Sequence, residues 1–284
     1  MAILLNGKTL SLKIKDELKE KIQTMFLDNQ KNVPSLAVLM VGDNPASLVY
    51  VKNKQKSCEY VGIRSVVETL PSTASEKEII EKIQELNQDD EINGILVQLP
   101  LPKGISTSNV LNAICPEKDV DGLTNINKGK LYSCEKAPAP CTPSGVVTLL
   151  KSYDIELEGK NVVIIGRSEL VGRPLQIMLM QENATTIMCH SKTKNLKDIC
   201  KIGDIVIVAI GKPKFITDEY IKDNAIVVDV GINRLENGLV GDVDFEKVKD
   251  KCEYITPVPG GVGPMTIVEL LKNVLFCYEL QHKQ

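Results

Sequence analysis

Four short apolar runs follow one another between residues 160 and 231, and they constrain the fold more than any other feature of the chain. They read KNVVIIG (160–166), TTIMCH (185–190), DIVIVAIG (204–211) and AIVVDVG (225–231). Each run is rich in β-branched residues, and helices of about 6–12 residues fit between them. Apolar strands that alternate with helices are typical of a parallel sheet covered on both faces.

A similar but shorter series comes earlier in the chain. Predicted strands read SLAVLMVG (35–42), RSVVETL (64–70) and NGILVQLP (93–100), and predicted helices cover 47–61 and 75–88. Ser75, followed by acidic residues, is typical of a capped helix start. Residues 115–141 are rich in Gly, Asn and Pro and predict an irregular connection, after which Thr142 is the expected N-cap of another helix.

These patterns predict an α/β protein of two domains with a cleft between them. The first domain is expected to span 1–140, with the helix of 266–284 returning to it, and the second to span 141–265. The length of 284 residues suits two cores better than one. Ligands favour clefts of this kind.

Composition excludes several classes of protein. With a net charge of −3 and 4% aromatic residues, the chain lacks the positive electrostatic potential and the aromatic stacking surfaces that bind nucleic acid. We expect no signal peptide and no membrane span. Eight scattered cysteines and two histidines predict no metal site, and apolar-flanked cysteines suit reduced thiols in the cytoplasm.

The segment VVIIGRSELVGRPL predicts a nucleotide-binding turn. Gly166, Ser168 and Gly172 form a G-x-S-x-x-x-G relative of the dinucleotide fingerprint, between a strand and a helix start. Gly166 permits a tight turn and Gly172 close packing, while the Ser168 hydroxyl is available to donate to phosphate. The bland alternative is a glycine turn of any α/β protein, but the strand–turn–helix context favours a Rossmann-like site.

The end of the next strand distinguishes the two dinucleotides. NAD sites usually place an acidic residue there, whereas this chain has Cys189-His190-Ser191-Lys192. Together with Arg167, these residues suit a ribose 2′-phosphate, so we predict NADP. His190 alone is interpreted as a hydrogen-bonding residue at a strand end, without proton chemistry.

The helix of 47–61 carries an unusual lysine. At 100° per residue, Lys52 and Lys56 share a polar face, whereas Lys54 falls with Tyr50 one turn away, on the side of the apolar residues. That side also includes Ser47, Val51, Cys58 and Val61. The bland alternative is a lysine whose stem covers apolar surface.

Three further segments are candidates for a substrate site. Gln98 ends a predicted strand, and its amide suits ligand orientation or a capped loop. Asp119 and Asp121 lie in a glycine turn, where an Asx-turn is about as plausible as function. The loop 255–266 is rich in Pro and Gly, which allow a flat ligand to approach the backbone, although a solvated linker has the same composition.

Taken in order along the whole chain, these motifs resemble one family. They are Y-V-x-x-K (50–54), Q-L-P-L-P (98–102), D-V-D-G (119–122), G-R-S-x-x-V-G-x-P (166–174), C-H-S (189–191), G-K-P (211–213), D-V-G-I-N (229–233) and T-P-V-P-G-G-V-G-P-M-T (256–266). The chain is similar to the bifunctional methylenetetrahydrofolate dehydrogenase/methenyltetrahydrofolate cyclohydrolase family. The resemblance implies an NADP-dependent dimeric enzyme of one-carbon folate metabolism and purine biosynthesis. It would oxidise methylenetetrahydrofolate and hydrolyse the methenyl product.

The resemblance also implies roles for single residues. Lys54 would be the principal catalytic residue, with Tyr50 and Gln98 beside the reacting carbon and Asp121 on the pterin ring. Substrate would further contact Ser47, Pro259, Gly260 and Gly261. The cofactor would contact Gly166, Arg167, Ser168, Ser191 and Ile232.

The chain departs from the family pattern at two places. Leu123-Thr124-Asn125 stands where many relatives have Phe-His-Pro, and Ser144 stands where many have Lys. Neither change removes an expected catalytic position. We expect no fused ligase domain in the 284 residues.

Hydrolysis of a methenyl cation requires a group that moves protons, and a lysine can do so. Our hypothesis is that Lys54 has this role, oriented by Tyr50 and Gln98. Two alternatives stay open at this point: another NADP-dependent two-domain dehydrogenase acting on a small acid, and a non-catalytic nucleotide-binding module. The first would favour basic residues at the strand ends that carry Gln98 here, and the second would have no use for an inward lysine.

Overall fold

The computed structural model describes residues 2–26, 33–236 and 238–282. The chain divides into two compact units, one of Met1–Leu12 with Pro140–Thr266 and one of Lys13–Ala139 with Ile267–Gln284. No helix in the described parts of the chain is long and apolar enough to cross a membrane.

The helices and strands of the described residues alternate along most of the chain. The helices are α1 (Gly7–Met25), α2 (Pro45–Val61), α3 (Glu76–Gln88), α4 (Thr107–Asn112), α5 (Asn125–Tyr132), α6 (Cys141–Lys151), α7 (Gly172–Gln181), α8 (Leu196–Cys200), α9 (Phe245–Val248) and α10 (Val262–Gln281). The strands are β1 (Ile3–Leu4), β2 (Ser35–Val41), β3 (Arg64–Leu70), β4 (Gly94–Val97), β5 (Asn161–Ile165), β6 (Thr185–Cys189), β7 (Ile205–Val208), β8 (Ala225–Asp229), β9 (Asn233–Leu235), β10 (Gly238–Val240) and β11 (Cys252–Ile255).

The unit built on residues 13–139 contains a three-stranded parallel sheet in the order β3-β2-β4. Every residue of the central strand β2 is buried, which explains why its sequence is almost wholly apolar. The predicted capping box of α3 is confirmed, because the Ser75 hydroxyl accepts from Glu78 N and the Glu78 carboxylate accepts from Ser75 N.

Two sequence predictions for this unit need correction. Strand β4 ends at Val97 rather than at residue 100, since Pro100 and Pro102 have no N–H for a ladder. The stretch 115–141 is not irregular throughout. It contains helix α5, whose N-cap Thr124 accepts from Asn127 N through its hydroxyl at 3.2 Å.

The unit built on residues 140–266 contains a six-stranded parallel sheet in the order β1-β11-β8-β7-β5-β6. Strand β5 leads first to β6 on one side and the chain then crosses to β7 on the other, so the strand order reverses at the carboxyl ends of β5 and β7. In open α/β sheets this reversal is where ligands bind.

The N-terminal residues correct the predicted domain division. Residues 1–140 were assigned to one domain, but Ile3 and Leu4 pair with Tyr254 and Ile255 as the edge strand β1 of the six-stranded sheet. Two consecutive apolar residues were too short a pattern to predict a strand.

Two local predictions in this unit are also wrong. Thr142 does not cap α6, which begins at Cys141 after Pro140, and the Thr142 hydroxyl instead lies 3.0 Å from that of Thr266. A helix of 6–12 residues does not connect β7 to β8. Pro213 lacks an N–H and Lys214 has a positive φ of 53°, and only a 3₁₀ turn at Asp218–Tyr220 forms there.

Candidate functional site

The turn after β5 leaves no room for a side chain at either of its glycines. Gly166 has a φ of +122°, and a Cβ there would lie 2.2 Å from Ala209 O at the end of β7. A Cβ on Gly172 would lie 2.1 Å from Gly166 O. The two glycines therefore bring β5, β7 and the start of α7 together at the strand-order reversal, as the fingerprint predicted.

Ser168 fixes the start of α7 in this turn. Its Oγ accepts from Val171 N at 3.2 Å and from Gly172 N at 3.4 Å. The hydroxyl hydrogen is still able to donate to an anion in front of the helix. Both Arg167 and Ser168 are exposed, so the turn presents a cation and a hydroxyl beside a helix N-terminus.

The turn after β6 lies next to the turn after β5, because Ile165 and Cys189, the last residues of the two strands, are paired. His190 N donates to Thr193 Oγ1 at 2.8 Å, and His190 Nδ1 accepts from Lys192 N at 3.1 Å. His190 is thus the hydrogen-bonding strand-end residue that we predicted. Ser191 and Lys192 are exposed on the same turn.

The loop of 257–261 is held by the chain's N-terminal residues. Lys8 N donates to Gly260 O at 2.9 Å, and a Cβ on Gly7 would lie 1.9 Å from Gly261 O. Gly261 is buried, so this loop is a packed part of its unit and not a solvated linker.

A cavity of about 120 Å³ brings several predicted site residues together. Its lining includes Ile232 and the segment Pro259, Gly260 and Gly261. A second cavity of about 250 Å³ shares Asp229, Pro257 and Val258 with it and extends to Lys214 and Phe245.

Two buried carboxylates stand beside these cavities, and neither is among the site residues predicted from the sequence. Asp229 ends β8 with 4% of its surface exposed, and Asp242 follows β10 with none exposed. Burial raises the pKa of Asp229 to about 6, an effect opposed by three backbone N–H groups and assisted by the Asp242 charge. The signal available in the sequence was an aspartate at the end of the apolar run AIVVD.

Lys54 and Gln98 meet in the other unit. Lys54 Nζ, from α2, donates to Gln98 Oε1 at 3.0 Å, and Gln98 Nε2 donates to Leu99 O at 2.8 Å. The Gln98 backbone is fixed in turn, since its N–H donates to Leu39 O. A lysine and an amide at the carboxyl end of β4 form a polar pair that is already oriented.

The predicted faces of α2 are correct except at one position. Ser47, Val51, Cys58 and Val61 are buried, Lys54 is half-buried, and Lys52 and Lys56 are exposed. Tyr50 is 46% exposed and does not lie on the buried face. It stands about 60° around the helix from Ser47, at the edge of the apolar arc.

The two aspartates of the 119–122 turn differ in their surroundings. Asp119 is buried and accepts from Leu123 N, Thr124 N and Asn127 Nδ2 at 2.8–3.2 Å, so the Asx-turn interpretation holds for it. Asp121 is half-buried. Gly122 follows with a φ of +63°, and a Cβ there would lie 2.6 Å from Pro138 O.

Lys118 fixes the same turn from the other side. Its Nζ donates to the carbonyl oxygens of Leu86, Asn87 and Asp89 at 2.8–3.3 Å, at the end of α3. Burial lowers the pKa of Lys118. The backbone at Asp121 is thus held by hydrogen bonds that join Lys118 to the end of α3 and Asp119 to the residues after Gly122.

Both departures from the family pattern have local explanations. Leu123 is buried and Thr124 caps α5, so Leu123-Thr124-Asn125 encodes a helix start. The Ser144 hydroxyl donates to Pro140 O at 2.9 Å, which satisfies a carbonyl at the beginning of α6.

Comparison with known proteins gives consistent matches over both units. A sequence model described as "Tetrahydrofolate dehydrogenase/cyclohydrolase, catalytic domain" matches residues 5–121, and that described as "Tetrahydrofolate dehydrogenase/cyclohydrolase, NAD(P)-binding domain" matches residues 140–282. The chain is 52% identical to the bifunctional protein FolD of Agathobacter rectalis over 96% of this chain and 98% of that one.

Solved structures agree with these matches. The chain is similar to the bifunctional enzyme FolD, methylenetetrahydrofolate dehydrogenase/cyclohydrolase, from Campylobacter jejuni, with a TM-score of 0.95, 50% identity and 99% of each chain covered. It is also similar to the Trypanosoma brucei methylenetetrahydrofolate dehydrogenase-cyclohydrolase complexed with NADP cofactor and inhibitor. There the TM-score is 0.95 and the identity 35%, over 100% of this chain and 99% of that one.

Proposed function

The chain belongs to the tetrahydrofolate dehydrogenase/cyclohydrolase family, and on this premise we propose that it converts 5,10-methylenetetrahydrofolate to 10-formyltetrahydrofolate in two steps. The first step passes a hydride to NADP and leaves the 5,10-methenyl cation. The second adds water to that cation. The observation that carries the proposal is the 3.0 Å bond between Lys54 Nζ and Gln98 Oε1 in the part of the chain that matches the catalytic domain.

The residues around the strand-order reversal fit a dinucleotide. At Gly166 and Gly172 a side chain would collide with backbone, so the strand end and the helix start pack closely, as in a dinucleotide-binding turn. When bound, NADP supplies the hydride acceptor at its nicotinamide ring. Gly166 and Ser168 would hold phosphate at the start of α7, Arg167 and Ser191 would bind the ribose 2′-phosphate, and Ile232 would support the nicotinamide.

The oxidation step needs little proton transfer, because the folate nitrogen lone pairs assist departure of the hydride. The protein therefore contributes mainly by alignment. We assign Asp121 to the pterin ring and Ser47, Pro259, Gly260 and Gly261 to the remaining substrate contacts. The bonds of Lys118 and Asp119 that hold the turn around Asp121 support this assignment, since little backbone entropy is lost when substrate binds.

The hydrolysis step needs a group that handles protons. Water adds to the cationic carbon and loses both of its protons as the carbonyl forms. A ring nitrogen takes up one of them as the C–N bond breaks, and the other is released. We assign this proton transfer to Lys54, held in place by Gln98 Oε1. Tyr50, exposed one turn before Lys54, is assigned to the substrate side of the same helix.

The test is the variant Lys54→Met. Cyclohydrolase activity, followed by the loss of methenyltetrahydrofolate absorbance, is expected to fall by at least about 100-fold, the usual contribution of a general acid–base group. NADP binding is expected to stay unchanged. Lys52→Met is the matched control, because Lys52 lies on the exposed face of the same helix. Full cyclohydrolase activity in Lys54→Met would remove the assignment.

Three broader features complete the proposal. The family resemblance supports a homodimer, a cytoplasmic location and a supply of formyl groups to purine biosynthesis. Sedimentation of the purified chain measures the first of these, and a monomer at micromolar concentration would contradict it.

A further inference from the structure

Asp229 brings three backbone N–H groups to one buried carboxylate. Its Oδ1 accepts from Gly231 N and from Asp242 N, each at 2.9 Å, and its Oδ2 accepts from Val243 N at 2.8 Å. Because these donors come from the loop after β8 and from the segment after β10, Asp229 ties the two ends of the β9–β10 hairpin together.

Asp242 extends this connection to a third segment. Its Oδ2 accepts from Ile210 N at 2.7 Å and from Gly211 N at 2.9 Å, just after β7. Its Oδ1 accepts from Asn233 Nδ2 at 2.9 Å. The two carboxylates together therefore hold segments 210–211, 231–233 and 241–243 in one arrangement.

Two glycines show how closely the backbone packs on these carboxylates. A Cβ on Gly231 would lie 2.2 Å from Asp242 Cγ, and a Cβ on Gly241 would lie 1.8 Å from Asp229 Oδ2. Real Cβ atoms do not approach other atoms so closely. The glycines thus give independent evidence that the backbone is built around the two acids.

The segments held in this way include Ile232, which is assigned above to the cofactor, and lie next to the nucleotide turn. Ile232 is exposed between the two anchored positions Gly231 and Asn233, and it lines the cavity of about 120 Å³. Residues 210–211 follow Ala209, whose carbonyl oxygen contacts Gly166 at the strand-order reversal. Resting on the function proposed above, the geometry points to Asp229 and Asp242 as positioning residues that set NADP affinity without touching the cofactor.

An ionised carboxylate suits this task better than an amide. Each oxygen of Asp229 faces at least one N–H, so the NH₂ of an asparagine would meet a donor on either side. A protonated Asp229 has the same problem at one oxygen. We therefore expect the positioning to depend on ionisation.

The charged groups around Asp229 are few. Asp242 faces it directly, and Lys214, Asp244 and Glu246 line the same cavity. Since burial raises the pKa of Asp229 to about 6, its ionised form is complete only above neutral pH. NADP affinity is then expected to decrease as the pH falls through about 6.

The experiment compares Asp229→Asn and Asp242→Asn with Asp250→Asn in the full chain. Asp250 is an exposed aspartate of the same unit and is the matched control. At pH 7.5, calorimetric titration with NADP is expected to give a Kd raised about tenfold or more in the two buried variants, as for the loss of hydrogen bonds to a buried charge. The control should bind like the wild type.

A second measurement distinguishes a loss of NADP positioning from a general loss of native structure. The KM for NADP is expected to rise in both buried variants, while cyclohydrolase activity measured without NADP stays within about twofold of the wild type. An equal loss of cyclohydrolase activity would overturn the inference.

The pH dependence tests ionisation directly. The ratio of the Kd of Asp229→Asn to that of the wild type should shrink toward one between pH 7.5 and pH 5.5, because the wild-type carboxyl becomes neutral. Titration of the NADP phosphate affects both proteins equally and cancels in the ratio. A ratio that does not change with pH contradicts the inference.

Asn233→Ser provides a milder test if the aspartate variants do not fold. It removes one bond to Asp242 at a half-buried site, and a Kd raised about threefold is expected. Unchanged NADP binding in this variant would overturn the inference and leave the proposed function in place. A wild-type chain that does not bind NADP would instead remove the proposed function, and the inference with it.

Discussion

At the scale of single residues, the site depends on side chains that are held before any ligand arrives. Lys54 and Gln98 are 44 residues apart in sequence and meet because α2 packs beside the strand end that carries Gln98. Asp121 lies shortly after Lys118 and Asp119, and the buried polar atoms of these two residues form hydrogen bonds with the backbone. Such preorganisation lowers the entropy lost when substrate binds.

The glycines of the nucleotide turn offer a test at this scale. In Gly172→Ala, the new Cβ would lie 2.1 Å from Gly166 O, which is backbone and cannot move independently. We expect a loss of NADP binding of at least about tenfold and a lower melting temperature, since overpacking of this kind typically destabilises by about 1–3 kcal/mol.

Gly129→Ala is the control for that substitution. Gly129 lies in helix α5, and apart from the adjacent helix backbone nothing lies within 4 Å of an added Cβ, so alanine should be neutral or stabilising by up to about 1 kcal/mol. Calorimetric melting and NADP titration of both variants measure the difference. Normal NADP binding in Gly172→Ala would show that the turn tolerates a wider geometry.

At the scale of elements, the sequence predicted strands and their order in the chain better than it predicted helix ends. Buried parallel strands are marked by continuous apolar runs, so β2, β3 and β5–β8 were found within one to three residues. Helix α5 was missed because a Thr-Asn start after a glycine turn has the composition of a loop. Thr142 was predicted as the N-cap because threonine is common at that position, but the N-cap of α6 is Pro140 and the helix begins at Cys141.

The start of α5 gives a test at this scale. Thr124→Ala removes the hydroxyl that accepts from Asn127 N, and the free energy of unfolding is expected to fall by about 1 kcal/mol. Urea denaturation followed by circular dichroism measures it. The exposed turn residue Thr73 provides the control Thr73→Ala, for which a change below about 0.5 kcal/mol is expected. Equal stability of both variants would mean that α5 does not depend on its cap.

The candidate site was predictable in part for similar physical reasons. Lys54 stood out because helical periodicity separates it from Lys52 and Lys56. Asp229 and Asp242 did not stand out, because their importance lies in N–H groups that come from three segments distant in sequence. Tyr50 was misplaced because it sits at the edge of the apolar arc, where a helical wheel cannot decide between core and solvent.

At the scale of the whole molecule, each unit is assembled from separate parts of the sequence. The first twelve residues belong with 140–266, and the last eighteen belong with 13–139. Leu5 is fully buried and its N–H donates to Ile255 O, so the N-terminal segment is part of a core and not an appendage.

A substitution at Leu5 tests this organisation. Leu5→Ala is expected to lower the free energy of unfolding by about 2–5 kcal/mol, the usual range for a leucine deleted from a packed core. Leu12→Ala is the control, because Leu12 is mostly exposed on α1 and should change stability little. Guanidinium denaturation of both variants gives the comparison. A small effect at Leu5 would mean that the N-terminal segment contributes little to the core of its unit.

The pairing of β1 with β11 has a consequence for the order of events on the ribosome. Ile3 is synthesised about 250 residues before its partner Tyr254, which at about 5–20 residues per second is roughly 12–50 seconds. During that interval the apolar N-terminal segment has no native strand beside it. The nascent chain must therefore keep this segment from unwanted contacts until β11 has been made, and the six-stranded sheet can be completed only then.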